Sequence, residues 1–217
     1  MYKNFIKRAF DIIISLIGIF ILLIPLLIVS VLIKIDSPGP IFFKQRRIGL
    51  HKKEFILLKF RSMPISVPKD VATHLLDVSE VHMTKFQQTI RKLSIDELPQ
   101  LFNILVGHMS IVGPRPALWN QFDLIEERDK YGANDILPGL TGLAQINGRD
   151  ELEIPIKANV DGEYTKALNS NGFKGFTMDL RCFFGTIKAV LIGDGVVEGG
   201  TGVIQKQEEK EKETVTK

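Results

Sequence analysis

The hydrophobic pattern divides this chain sharply. Residues Ile12–Ile33 read IIISLIGIFILLIPLLIVSVLI, without a charge. An uninterrupted apolar run of this length suits a membrane helix, which needs about 20 such residues. A signal peptide fits poorly, because the run is too long and no small-residue cleavage site follows. A buried core helix is the remaining alternative. Pro25 sits near the middle and removes one helical hydrogen bond. Beyond the turn cluster Asp36–Pro40 the pattern changes character. IFFKQRRIG and KEFILLKFRSM are β-rich runs separated by Leu50–Lys53, which predicts a short hairpin. Pro64–Asp77 has no period and reads as a loop. Helices are expected within Ser79–Arg91, Leu98–Val106 (ended by Gly107), Trp119–Tyr131 and Ile154–Leu168. Asp135–Asp150 has the spacing of a loop, a strand and a turn, and Asn169–Gly175 reads as a turn. Phe176–Ile192 is amphipathic, with Leu180, Phe183, Phe184, Ile187, Val190 and Leu191 on one side. Such a face packs on a core or lies in a membrane surface.

Charge refines the membrane reading. Lys3, Lys7 and Arg8 precede the apolar run; Lys34, Lys44, Arg46, Arg47, Lys52 and Lys53 follow it. Basic flanks mark the cytoplasmic side. A simple span must place one of these flanks outside, whereas a helix that dips in and returns keeps both inside. Pro25 and the paired flanks favour re-entry over spanning. The net charge of +3 suits phosphate-bearing partners or an anionic membrane surface. The single cysteine, Cys182, excludes an intramolecular disulfide and a cysteine-rich zinc site. His51, His74, His82 and His108 show no metal-ligand spacing. No recognition-helix pattern or RNA-binding motif is present, so no nucleic-acid partner is expected. Gly193–Gly202 is glycine-rich, and the QKQEEKEKETVTK end is a charged segment of disordered composition.

The chemistry centres on Leu93–Asn103, LSIDELPQLFN. Ser94-x-x-Glu97 matches a capping box. A helix starting there would carry Pro99 in its interior, so a start at Asp96 or later suits the proline better. Adjacent carboxylates do not share a helix face, which favours two separate roles for Asp96 and Glu97. Downstream, MSIVGPRPAL sets Arg115 between two prolines. A guanidinium held that way suits bidentate phosphate recognition, and a plain turn with an exposed Arg is the alternative. Gly139, Gly142 and Gly148 allow close backbone approach to a ligand, though many glycine-rich hairpins bind nothing.

Taken together, KRAFDIIIS with Pro25, SPGPIFFKQRRIG, KFRSM, LSIDELPQLFNIL, MSIVGPRP and PGLTGLAQINGR resemble the small monotopic phosphoglycosyl transferases, the bacterial sugar transferases. The resemblance covers roughly Met1 to Leu191. It implies transfer of a sugar 1-phosphate from a UDP-sugar to polyprenyl (undecaprenyl) phosphate, releasing UMP and starting lipid-linked glycan assembly. It implies Asp96 as the nucleophile that forms an aspartyl phosphosugar, Glu97 as the adjacent acid and candidate base, and Mg²⁺ beside Asp96. Lys59, Arg61, Arg91, Arg115, Gln145 and Arg149 match motif positions expected to contact phosphate or nucleotide. A carboxylate nucleophile and two-step, ping-pong behaviour agree with the chemistry of such a transfer. Two positions depart from the pattern: Ile24 replaces the common Ser before Pro25, and Leu137 replaces a basic residue before the PG-TG motif.

The expected fold is an α-rich α/β protein with a re-entrant N-terminal membrane helix broken near Pro25. A small cytosolic globular domain would carry a short β-hairpin and interfacial helices. The expected divisions are an anchor over 1–36, a catalytic domain over 37–203 and a charged tail over 204–217. The expected place is the inner face of a bacterial membrane, in contact with its lipids. Two rivals stand beside this reading: a glycosyltransferase that releases UDP, and an inactive membrane-anchored scaffold.

Overall fold

The computed structural model describes residues 2–68, 70–71, 81–148, 152–170 and 173–192. Most of the glycine-rich and charged C-terminal end, including the expected tail, and part of the Pro64–Asp77 loop lie outside them. A π-helical turn, Tyr2–Ile6, opens into α1, Lys7–Asp36. The hairpin is β1 (Phe42–Ile48) against β2 (Glu54–Phe60), antiparallel, with Phe42 opposite Phe60 and Ile48 opposite Glu54. There follow α2 (Lys85–Lys92), a 3₁₀ turn (Ile95–Glu97), α3 (Gln100–Val106), β3 (Ser110–Val112), α4 (Phe122–Asp129), β4 (Gly139–Thr141), α5 (Leu143–Ile146), α6 (Ile154–Asn169) and α7 (Lys174–Ile192). β3 and β4 pair in parallel, a contact the sequence pattern did not announce. The fold is thus helix-rich α/β, as expected.

The break expected near Pro25 does not interrupt the helix; α1 continues through it as one element. A proline removes only its own N–H, and the turns on either side keep their bonds. At about 1.5 Å per residue, α1 is roughly 45 Å long. Both of its ends touch the same globular body. Near the start, Lys7 Nζ donates to Asp179 Oδ2 at 2.7 Å and Arg8 donates to the carbonyls of Ile104 and Leu105. Asp11 Oδ1 accepts from Ser110 Oγ and from the Ile111 amide. At the far end, Leu26 and Ile33 pack with Phe60 and Ile90.

The helix is built inside out for a protein in water. Lys7, Asp11 and Ser15, spaced four apart, are buried against the domain, whereas Phe20, Ile24 and Ile35 stand outward at 82%, 69% and 76% exposure. Polar groups turned inward and apolar ones outward require an apolar exterior. One helix among the described residues, α1, is long and apolar enough to cross a membrane.

Behind it, the main core gathers Phe55, Leu57, Leu101, Ile104, Met109, Ile111, Leu143 and Cys182. A polar knot ties the layers. Asp179 Oδ2 accepts from Tyr2 and Lys7, and its Oδ1 accepts from Tyr164. Burial and the Asp179 carboxylate push the Tyr164 hydroxyl well above its ordinary pKa, so it stays a donor. Further out, Arg128 on α4 pairs with Asp161 on α6, both almost fully buried.

Removing one member of that pair leaves the other charged and without its partner. Asp161→Ala is expected to destabilise the fold by about 3–5 kcal/mol. Chemical denaturation of the detergent-solubilised protein measures this; a loss below about 1 kcal/mol would contradict the reading of Arg128 as dependent on Asp161.

Candidate active site

The two acids do not begin a helix. Ser94 adopts the left-handed conformation (φ 55°), which ends the path of α2 and turns the chain into the 3₁₀ segment carrying Asp96 and Glu97. The capping box matched at Ser94 is not formed; one forms instead at the start of α2, between Thr84 and Gln87. Pro99 then takes the N-cap position of α3, where its missing N–H removes no helical bond.

Asn103 fixes this segment to the hairpin. Its side-chain amide accepts from the Leu58 N–H at 2.9 Å and donates to the Ile56 carbonyl at 2.7 Å. It therefore satisfies the free edge of β2 as another strand would, and places α3 one side chain away from Lys59. On the opposite side, β3 runs into Gly113-Pro114-Arg115. The Gly113 N–H donates to the Thr141 carbonyl, and the Gly139 N–H to the Pro114 carbonyl. A Cβ on Gly139 would lie 2.1 Å from Gly113 N, and one on Gly142 would lie 2.1 Å from Gly113 O. These two glycines admit a neighbouring backbone, and through it they set Arg115.

At the centre, Glu97 Oε1 accepts from Lys59 Nζ at 2.7 Å and from Arg115 Nη2 at 3.0 Å. Asp96, also buried, is held differently: its Oδ2 accepts from Ser62 Oγ at 3.0 Å. No other side chain among the described residues hydrogen-bonds its carboxylate. Burial pushes the Asp96 carboxyl above the usual carboxylate range, and the Lys59 ammonium is the main influence opposing that. Burial likewise pulls the Lys59 ammonium below its ordinary value, against the attraction of Glu97. Asp96 and Lys59 are thus shifted in opposite directions within a cluster of two buried acids and two half-buried cations, an arrangement common at active sites.

Asp96 opens into a cleft beneath the hairpin end. Arg47, Lys59, Arg61, Arg91 and Arg115 line it on the charged side; Phe42, Ile65, Val67 and Pro68 form an apolar wall. The sequence-predicted residues therefore converge in part. Asp96, Lys59, Arg61, Arg91 and Arg115 share the cleft, with Glu97 directly behind it. Arg61 is committed elsewhere, however. Its guanidinium donates to the carbonyls of Ser37 and Pro38, both at 2.6 Å, and so caps the C-terminal end of α1. Gln145 is not among the cleft residues; its Nε2 bonds the Leu140 carbonyl within the β4–α5 corner. Arg149 lies outside the described residues. Leu137 lines a separate cavity beside Lys3 and Arg8, so its departure from a basic residue does not strip a charge from this cleft.

Sequence reasoning missed Ser62, Asn103, and the Gln45–Arg47 pair. Arg47 donates to Gln45 Oε1 through both Nε and Nη2 and to the Pro116 carbonyl through Nη1, bracing the Arg115 loop. The QRR, KFRSM and LSIDELPQLFN motifs contain these residues, but none shows which side chain meets which.

A cleft floored by cations and closed by two buried acids, attached to an inside-out apolar helix, defines an enzyme class that handles anionic substrates beside an apolar phase. The family is more particular. A family model described as "Bacterial sugar transferase" matches residues 2–193, and the chain belongs to that family. The "Uncharacterized sugar transferase EpsL" of Bacillus subtilis (strain 168) is 38% identical over 88% of this chain and 90% of its own length. The "UDP-N-acetylgalactosamine-undecaprenyl-phosphate N-acetylgalactosaminephosphotransferase" of Aeromonas hydrophila is 37% identical over 88% of this chain and 45% of its own. The "Undecaprenyl-phosphate glucose phosphotransferase" of Komagataeibacter xylinus is 40% identical over 84% of this chain and 35% of its own. The chain thus corresponds to part of those two longer proteins.

The shared Glu97 oxygen holds both cations, so neutralising it releases both. Glu97→Gln is expected to lower turnover roughly 100-fold and also to lower the melting temperature, because two cations lose their counter-charge. Steady-state kinetics beside a melting curve check this; unchanged turnover would remove Glu97 from the working site.

Proposed function

We propose that this chain transfers a sugar 1-phosphate from a UDP-sugar to undecaprenyl phosphate, releasing UMP, through a covalent phosphosugar on Asp96. The observation that carries this reading is the unequal treatment of two adjacent acids. Glu97 is neutralised by two direct ion pairs, which weakens it as a nucleophile and as a base. Asp96 accepts from a neutral hydroxyl and borders the cleft, so it keeps its electron density. In the first step Asp96 Oδ1 bonds to the sugar-bearing phosphorus. The bond from that phosphorus to the bridging oxygen breaks, and its electron pair leaves with UMP. In the second, an oxygen of the lipid phosphate bonds to the same phosphorus, and the electron pair of the breaking bond returns to Asp96. Carboxylate nucleophiles split hard transfers in this way. Lys59, Arg91 and Arg115 supply fixed positive charge for the phosphoryl oxygens; Glu97 holds two of them in place rather than moving a proton.

Mg²⁺ belongs to this reading. Among the described residues no group of three or more His, Cys, Asp or Glu side chains stands together. Mg²⁺ is commonly bound by one or two carboxylates plus substrate phosphates, so Asp96 with a donor diphosphate fits it. When bound it supplies charge neutralisation on the cleaving diphosphate. The lipid acceptor explains the anchor. Contacts from both ends of α1 to one body support a placement with both ends on the cytoplasmic face of the bacterial inner membrane. The similar enzymes of A. hydrophila and K. xylinus, whose names specify undecaprenyl phosphate, support the acceptor.

With Mg²⁺, undecaprenyl phosphate and a panel of UDP-sugars, the detergent-purified protein is expected to release UMP from one donor over many turnovers; without lipid, release stops at a single equivalent per enzyme. Asp96→Asn is expected to abolish release while leaving the protein in the membrane fraction. UDP in place of UMP would make the protein a glycosyltransferase, and full activity in Asp96→Asn would sink the covalent route.

The same reading places the chain start and the domain on one side of the membrane. Single cysteines at Lys3 and Lys130 are expected to react alike with an impermeant maleimide in sealed vesicles; opposite accessibility means a span. Cys182 does not interfere, since it is buried in the core and its thiol is pushed up to about 12, chiefly by that burial.

A further inference from the structure

We infer that Ser62 is a positioning residue for Asp96: its hydroxyl holds Oδ2 so that Oδ1 is the oxygen presented to the donor. This rests on the covalent phosphosugar reading above. A carboxylate end rotates in a broad, nearly two-fold well, so an unrestrained Asp would offer either oxygen at a range of angles. Here one hydrogen bond of 3.0 Å, in a buried setting, selects between them. Asp96 reacts as the carboxylate, which has no proton to give, so in that form Ser62 is the donor.

Ser62 is itself held from behind. The preceding residue, Arg61, donates its backbone N–H to the Ile41 carbonyl at 2.9 Å, and its guanidinium grips Ser37 and Pro38 at the end of α1. Ser62 follows directly, buried and lining the cleft. The orientation of Asp96 is therefore referred, through Ser62 and Arg61, to the C-terminal end of the membrane helix. Lys59 and Arg115 do not do this job, because both bond Glu97.

The hydrogen bond matters in both half-reactions. During attack it fixes the angle of Oδ1. During release, the electron pair of the breaking Oδ1–P bond returns to the carboxylate, and the Ser62 O–H steadies the charge that reappears on Oδ2. Neither step transfers the Ser62 proton.

The test compares Ser62→Ala and Ser62→Thr with wild type, as full-length protein in detergent. The assay supplies Mg²⁺, undecaprenyl phosphate and the UDP-sugar that the donor panel selects. Ser62→Ala is expected to lose roughly 10- to 100-fold in kcat with donor KM within about two-fold, the range for losing a hydrogen bond to a charged group. Its melting temperature should match wild type, and Ser62→Thr, which keeps the hydroxyl, should recover to within about three-fold of wild type. Wild-type turnover in Ser62→Ala overturns the inference. So does a Ser62→Thr enzyme as slow as Ser62→Ala, or a melting temperature that falls in step with activity. Wild-type protein that releases no UMP from any donor overturns the underlying reaction, and the inference with it; an active wild type indifferent to Ser62 overturns the inference alone.

Discussion

Two cations meet on a single oxygen of Glu97, and much of the site depends on that meeting. Lys59 comes from the end of the hairpin and Arg115 from the loop after β3, 38 and 18 residues away in sequence. None of the three groups is tolerable alone at that depth: each is largely withdrawn from water and has the others as its compensation. The constraint explains features that otherwise look unrelated. Asn103 stitches α3 to β2 because the turn carrying Glu97 must stay level with Lys59. Gly139 and Gly142 carry no side chain because the Arg115 loop must lie against their backbone. Arg47 is clamped by Gln45 because the same loop needs support from its other side.

The pairing also divides the labour between neighbouring residues of one type. Adjacent positions in a 3₁₀ turn point in different directions, so one acid faces the cations and the next faces the cleft. A longer helix through these positions would have placed Pro99 in its interior. The short turn before α3 avoids that and gives each carboxylate its own surroundings.

Much of the local structure was legible in the sequence, because it is written in local terms. The hairpin followed from two β-rich runs around Leu50–Lys53; α7 followed from its apolar spacing; Gly107 ended α3 as a left-handed cap. The acids and Arg115 were legible because their motif is contiguous. What was not legible depends on contacts between distant segments. Nothing local marks Ser62 as the partner of Asp96, or shows that Arg61, which lines the cleft, also caps α1. The parallel β3–β4 pair was hidden by its shortness. The capping-box pattern at Ser94 is not realised because Ser94 itself is left-handed and Pro99, five positions on, takes the N-cap of α3, while the real box at Thr84 carries Gln rather than Glu. In α1 the charge-free run concealed that its inward face begins with Lys7, Asp11 and Ser15.

That inward polar stripe has a consequence for how the protein comes to exist. Most membrane anchors enter the bilayer first and need nothing further from the domain they carry. Here Asp11 obtains its hydrogen bonds from Ser110 and Ile111, and Lys7 its counter-charge from Asp179, all supplied by chain that leaves the ribosome much later. The inward face of the anchor is therefore satisfied only once the domain has folded against it. Removing the anchor would take Tyr2 and Lys7 away from Asp179, leaving it Tyr164 alone among the described residues, and would bare the surfaces of Leu101, Phe60 and Ile90.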